Sequence, residues 1–285
     1  MDRIVTPLME RITATKIPLG LWSQAVVDWL KSNARGFFDA LSDALDWMIG
    51  WIVWGLQTPH PLVIVAAFVA LTWALQRSWK VCLLVLVCLL FILNQGYWDR
   101  TTDSLALVLS SCVVCMGLGV PIGIALAHRP RAYQAVSPLL DLMQTLPTFV
   151  YLIPAITFFG LGMVPGLFAT VIFVLPAPVR LTYLGVASTP PALLEAAQAF
   201  GARPMQTLWK VELPYAFPQI MAGLNQVIML SLSMVVIAAY VGADGLGKPI
   251  VQALGRNDPQ LGFEAGFVIV AVAVMLDRML RVTRK

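Results

Sequence analysis

From residue 60 to residue 281 the chain is a succession of apolar runs, several of them far too long for strands. A helix that crosses ~30 Å of hydrocarbon needs about 20 mostly apolar residues. Seven stretches come near that length, at roughly 60–76, 80–95, 102–127, 137–160, 165–186, 214–242 and 263–281. Only 12% of the 285 residues are charged and 59% are apolar, whereas a soluble domain carries about 25% charged residues. Inside a bilayer the backbone must satisfy its own polar groups, which leaves helices for runs of this kind. The expectation is an all-α polytopic membrane protein with about seven transmembrane helices. The second run is short, but the turn "QRSWK" before it suggests a helical hairpin. Pro121, Pro147, Pro154, Pro176 and Pro178 fall inside the runs and predict kinked helices whose freed carbonyls are satisfied by neighbours.

Residues 1–58 form a separate N-terminal segment and 59–285 the transmembrane domain. The first 22 residues lack an apolar core long enough for a signal peptide. In 37–57, Asp39, Asp43 and Asp46 share one helical face. Three carboxylates on one face are costly in lipid. The stretch is therefore expected to be an amphipathic helix lying at the interface, with Trp47, Trp51 and Trp54 at headgroup level.

Three signals of soluble chemistry are weak. Gly242, Gly247 and Lys248 have the G-x-x-x-x-G-K spacing of a phosphate loop, but Pro249 stands where the Mg²⁺-binding hydroxyl belongs. Cys112 and Cys115 form a C-x-x-C inside an apolar run, with no second pair or His nearby, and are expected to pack as small apolar residues. His60 and His128 sit singly at span ends, outside any metal-ligand spacing, so no metal site and no nucleic-acid surface is expected.

The basic residues set an orientation. Arg77 and Lys80, Arg129 and Arg131, Arg203 and Lys210, and the tail from Arg278 to Lys285 fall on one side of a seven-span chain. The positive-inside rule makes that side the cytoplasm. The N-terminus and the loop 242–262 are then outside, although Arg3, Arg11, Lys16, Lys31 and Arg35 share that outer segment.

The longest cytoplasmic connection, 188–215, predicts two short helices. Thr189 is expected to cap the first, with Pro190 and Pro191 in its opening turn. Leu193, Ala197 and Phe200 form its apolar face, and Gly201 suits the position just past its end. Pro204 can start the second helix and Pro214 limit it. The spacing is specific: Glu195-Ala196-Ala197, three residues, Gly201, nine residues, then Val211, Leu213 and Pro214. It resembles the EAA loop of ABC importer permeases, in which Ile is usual where this chain has Val211.

From about residue 60 onward the chain resembles permeases of the glycine betaine, proline betaine and choline (quaternary-amine) uptake family. The stretches "LLDLMQTLPTFVYLIP", "LPAPVRLTYLG" and "NQVIMLSLSMVVIAA" carry the likeness. The resemblance implies a type I ABC importer permease fold in a bacterial inner membrane. It also implies a second permease, expected to be identical, two cytoplasmic ATP-binding subunits that hold ATP and Mg²⁺, and an external binding protein. This chain would bind no cofactor and catalyse nothing. Its EAA elbow, with Phe200 beside the motif residues, would sit in a groove of the ATP-binding subunit.

Polar and aromatic residues within the spans are candidates for the pathway, each weighed against simple interhelical hydrogen bonding. They are Gln144, Thr145, Phe149, Tyr151, Asn225, Gln226 and Ser233; Ser231 and the near-cytoplasmic Asp141 belong to the same group. Asp277 and Arg278 are expected as interfacial anchors. Phe149, Tyr151, Phe158, Phe159 and Phe173 offer rings for a quaternary ammonium. Two alternatives stay open: the same architecture carrying another solute such as an amino acid, and an intramembrane enzyme or channel, which would leave the elbow unexplained.

Overall fold

The computed structural model describes residues 19–280, and among them every regular element is helical. The chain divides into two units, Met1–Leu41 and Ser42–Lys285. In the first unit, α1 (Leu19–Asn33) exposes Trp22 and Trp29, and the Asn33 amide bonds the Trp29 carbonyl at 2.9 Å. This helix has no counterpart in the sequence expectations. The second helix, α2 (Arg35–Gln57), begins in this unit.

Within the second unit, the part of α2 from Ser42 onward packs Ile49 into a cluster with Ala106, Val164 and Leu167. Asp43, Asp46, Trp47, Trp51 and Trp54 stay exposed on its other faces. A helical hairpin follows, α3 (Pro61–Gln76) and α4 (Trp79–Asn94). Its turn is made by Arg77 in the left-handed region at φ 48°. His60 caps α3, its Nδ1 accepting from the Leu62 amide at 3.3 Å. The long helix α5 (Trp98–Ala127) then leads to α6 (Pro130–Thr145). A 3₁₀ turn (Thr148–Tyr151) and α7 (Leu152–Phe159) follow, then α8 (Met163–Val174) and α9 (Pro176–Ala187). After the elbow come α12 (Leu213–Ala238), α13 (Gly247–Arg256) and α14 (Pro259–Leu280).

Four helical stretches are long and apolar enough to cross a membrane: Trp98–Ala127, Met163–Ala187, Pro204–Val241 and Pro259–Leu280. They match four of the seven expected runs. The hairpin helices have 16 residues each, about 24 Å at 1.5 Å per residue, short of the ~30 Å core. The run 137–160 is not one straight helix. It breaks into Pro130–Thr145 and Thr148–Phe159, bent by 101°. Pro147 is the cause: its ring disfavours a helical conformation at the residue before it, and Leu146 is extended at φ −64°, ψ 137°. The loop 242–262 contains a further unexpected helix, α13. The near-match to a phosphate loop follows helix rather than strand, and Lys248 is paired with Asp244.

The core is built where α5, α9 and α12 meet. Gly123 of α5 lies against α9 so closely that a Cβ there would come 2.7 Å from the Val179 carbonyl oxygen and 2.7 Å from Thr182 Cβ. Together with Gly119, against Pro178, this forms a small-xxx-small seam that lets two backbones approach. Across the α5–α12 contact, buried Ser111 Oγ lies 2.6 Å from Ser231 Oγ and 2.7 Å from the Val108 carbonyl. One hydroxyl can donate to the carbonyl while accepting from the other, so both are satisfied without water. Cys112 and Cys115 sit in the same core with Val227, Leu232 and Val268.

The seam predicts that Gly123→Val forces α5 and α9 apart, at a cost of ~1–3 kcal/mol for overpacking. A lower thermal midpoint in detergent is expected; an unchanged midpoint would mean that the helices do not meet at this distance.

Candidate functional site

The connection after α9 is a compact elbow of two helices, α10 (Pro191–Ala199) and α11 (Pro204–Thr207). The capping residue of α10 is Pro190, in an extended conformation, and not Thr189. Thr189 is buried below the elbow and its hydroxyl has no partner among the described residues. The end of α10 follows the sequence expectation. Gly201 is left-handed at φ 74°, its N–H bonds the Gln198 carbonyl at 2.8 Å, and the Ala202 N–H bonds the Ala197 carbonyl at 3.0 Å. These two bonds are the Schellman pattern, and they reverse the chain within three residues.

The second half of the elbow does not stop at Pro214. A π turn, Leu208–Glu212, joins α11 to α12, so that Pro204–Val241 is one helical span of 38 residues. Proline in an ordinary helix clashes with the carbonyl four residues back. Here the Leu213 N–H bonds the Leu208 carbonyl five residues back, and this shift in register lets Pro214 pass without a break. Gln206 steadies the start of α11, its Oε1 accepting from the Arg203 amide at 2.8 Å.

The motif residues lie on the outside of this elbow. Glu195 and Ala196 are exposed, and Ala197, Val211 and Leu213 are half-buried. Phe200 is 91% exposed, and Trp209 is 65% exposed. Leu193 and Met205 add to the same exposed apolar surface, while Pro214 is exposed at its root. A phenylalanine this bare on an ordered turn is covered by none of the described residues; exposed apolar clusters of this kind mark docking surfaces.

The pathway candidates separate into two groups. Gln226 and Ser233 of α12 are exposed, and with Tyr240 they recur every seven residues along one face. Phe149 meets Tyr240 edge to face at 5.3 Å, so it joins the same face. Gln144 and Thr145 lie in the last turn of α6, beside the Pro147 break, with the Thr145 hydroxyl bonded to the Leu142 carbonyl at 3.3 Å. Tyr151 points inward: it is buried with Leu152 and Ala169, and its hydroxyl donates to the Met143 carbonyl at 2.9 Å. Asn225 turns to α14, where its Nδ2 donates to Asp277 Oδ1 at 3.3 Å. Asp277 is thereby an interhelical partner as well as a neighbour of Arg278, 3.9 Å away. Of the five rings considered for a cation, Phe173 packs against both the main core and the Tyr151 cluster, Phe159 pairs with Phe168 at 4.8 Å, and Phe149 pairs with Tyr240.

Two pairs of ionisable side chains escaped sequence reasoning. Arg180 Nη2 lies 2.6 Å from Asp141 Oδ1, tying α9 to α6. The signal was present, since Arg180 is the one charge in the run 163–187, and an intramembrane charge requires a partner. Beside it Tyr133 stacks on Tyr183, ring centroids 3.6 Å apart. The other pair, His128 Nε2 and Glu212 Oε2 at 3.0 Å, joins residues far apart in sequence, with no local pattern to reveal it.

Comparison with known proteins places these features. The family described as "Binding-protein-dependent transport system inner membrane component" matches residues 119–282. The glycine betaine transport system permease protein OpuAB of Bacillus subtilis (strain 168) is 45% identical over 264 residues, 93% of this chain and 93% of that protein. The glycine betaine/carnitine transport permease protein GbuB of Listeria monocytogenes serotype 1/2a (strain 10403S) is 43% identical over 272 residues, 94% of this chain and 96% of that protein. Among solved structures, the inward-facing MetNI methionine ABC transporter superposes with a TM-score of 0.58 at 25% identity, over 68% of this chain and 98% of that one.

The elbow's geometry carries its own prediction. Any side chain at the left-handed Gly201 costs roughly 1–2 kcal/mol. Gly201→Val is expected to speed amide hydrogen exchange across residues 191–207 by about tenfold, while exchange in α5 stays at its wild-type rate.

Proposed function

This chain belongs to the binding-protein-dependent transport inner membrane components, and from that premise we propose that it imports a quaternary-ammonium compatible solute by alternating access. Glycine betaine is the first candidate, with proline betaine, choline and carnitine behind it; the activities for which the relatives are named favour this class over amino acids. The observation that carries the mechanism is the exposed elbow with Glu195-Ala196-Ala197 and Gly201 at its turn.

In this reading the elbow seats in a groove of a cytoplasmic ATP-binding subunit, with Phe200 and Trp209 as apolar anchors. Ala196 and Ala197 allow close approach, and Glu195 meets a basic residue. Two ATP-binding subunits hold ATP and Mg²⁺ and do the hydrolysis, while this chain transmits the motion. The helical span that begins in the elbow runs for 38 residues, about 57 Å, long enough to carry a displacement from one face of the membrane to the other. The exposed stripe of Gln226, Ser233 and Tyr240, with Phe149, lines the pathway against a second copy of the chain. Gln144 and Thr145 stand beside it at the Pro147 break. The elbow faces the cytoplasm, the loop with α13 faces the external binding protein, and α2 lies at the interface with its tryptophans among the headgroups.

The test is ATP hydrolysis by the permease and its cognate ATP-binding subunit in lipid, with and without binding protein loaded with glycine betaine or choline. Stimulation by the loaded binding protein is expected. Absence of stable association with any ATP-binding subunit would defeat the reading. Gly201→Asp and Glu195→Lys are each expected to lower uptake at least tenfold with normal membrane insertion; wild-type uptake by both would remove the elbow from the coupling.

A further inference from the structure

Among the described residues Glu212 is the only buried acid, 8% exposed, and it ends the π turn at the root of the elbow. Its Oε2 is 3.0 Å from Nε2 of His128. That histidine is the C-terminal capping residue of α5, and its Nδ1 is 2.9 Å from the Ile124 carbonyl oxygen. A carbonyl oxygen only accepts, so Nδ1 carries a proton. The ring stands at the C-terminal end of α5 and within ion-pair distance of the buried carboxyl group, so the contact joins the elbow root to the end of α5.

We infer that the His128–Glu212 pair is the positioning contact that braces the root of the elbow against α5. The inference rests on the reading of the elbow as the coupling element. Its physical basis is a weak point. The π turn Leu208–Glu212 lets the helix pass Pro214, but it interrupts the i→i+4 ladder there, and π bulges are places where helices kink. A helix with such a turn at its base bends when pushed. Glu212 stands at the end of that turn and is held sideways to α5, which itself packs on α8, α9 and α12. A push on the elbow thus reaches the helix core through α5 as well as through α12, and the π turn cannot absorb it. His128 and Glu212 touch neither solute nor nucleotide; they act through the elbow.

The test is the number of ATP molecules hydrolysed per solute accumulated, in proteoliposomes holding permease, cognate ATP-binding subunit and binding protein, with radiolabelled glycine betaine. Glu212→Gln and His128→Gln are expected to assemble and to hydrolyse ATP in response to loaded binding protein, with that ratio raised at least fivefold. The reversed pair, His128→Glu with Glu212→His, and the cationic variant His128→Lys are expected to return to within twofold of wild type. Wild-type ratios in both single variants would overturn the brace. So would failure of the single variants to assemble with no rescue by the reversed pair, since the contact would then serve folding alone. A wild-type transporter that takes up no betaine or choline defeats the solute assignment instead, and the ratio is then read with whichever amino acid it accumulates. If no solute is accumulated with ATP, both readings fall.

Discussion

A peptide group surrounded by hydrocarbon has no water to bond with, so every N–H and C=O in the spans must find its partner inside the protein. At three departures from a straight helix the chain keeps backbone hydrogen bonds by different means. At Pro147 the chain gives up the helix, turns by 101° and restarts in a 3₁₀ turn. At Pro214 it keeps the helix by moving to i→i+5 bonding for one turn. At Gly201 the free carbonyls of α10 are taken up by a Schellman turn. The two outcomes at Pro147 and Pro214 differ because only the second lies where a bonded π turn can absorb the missing donor.

The same condition explains how the spans hold together. Lipid tails are as apolar as leucine, so burial of apolar surface alone does not drive helices into contact. Close approach does. The Gly119–Gly123 seam brings α5 and α9 within backbone contact, and the Ser111–Ser231 pair fixes α12 on the other side of α5. The central position of α5 follows. It touches α8, α9, α12 and α14, and its two ends carry polar contacts, Gln57 to Asp103 at 2.9 Å at one end and His128 to Glu212 at the other. The elbow is closed by its own hydrogen bonds while Phe200 and Trp209 stay bare.

Much of this was legible in the chain because it depends on local chemistry. Four of the long spans, the hairpin turn, the Gly201 turn and the start of α11 at Pro204 were all where apolar length and turn residues placed them. Thr189 misled because its hydroxyl suits a cap, yet the two prolines after it pushed the helix start one residue on and left Thr189 underneath. Tyr151 and Asn225 had two open readings, pathway lining and interhelical bonding, because composition does not say which way a side chain points; one turns into the core, the other towards Asp277. The helices α1 and α13 were missed because their apolar residues cover only one face, too few to stand out beside spans that are apolar all round.

What the sequence by itself determined is the solvent, the class of fold and the elbow: long apolar runs exclude water, hydrocarbon demands helices, and the EAA spacing marks the elbow and its turn. What only the tertiary structure decided is which residues from distant segments meet. Asp141 with Arg180, His128 with Glu212, and Phe149 with Tyr240 are contacts between different helices. Helical periodicity relates residues three, four or seven apart on one rod; it carries no information about the rotation and depth of one rod against another, which packing across the glycine seam sets.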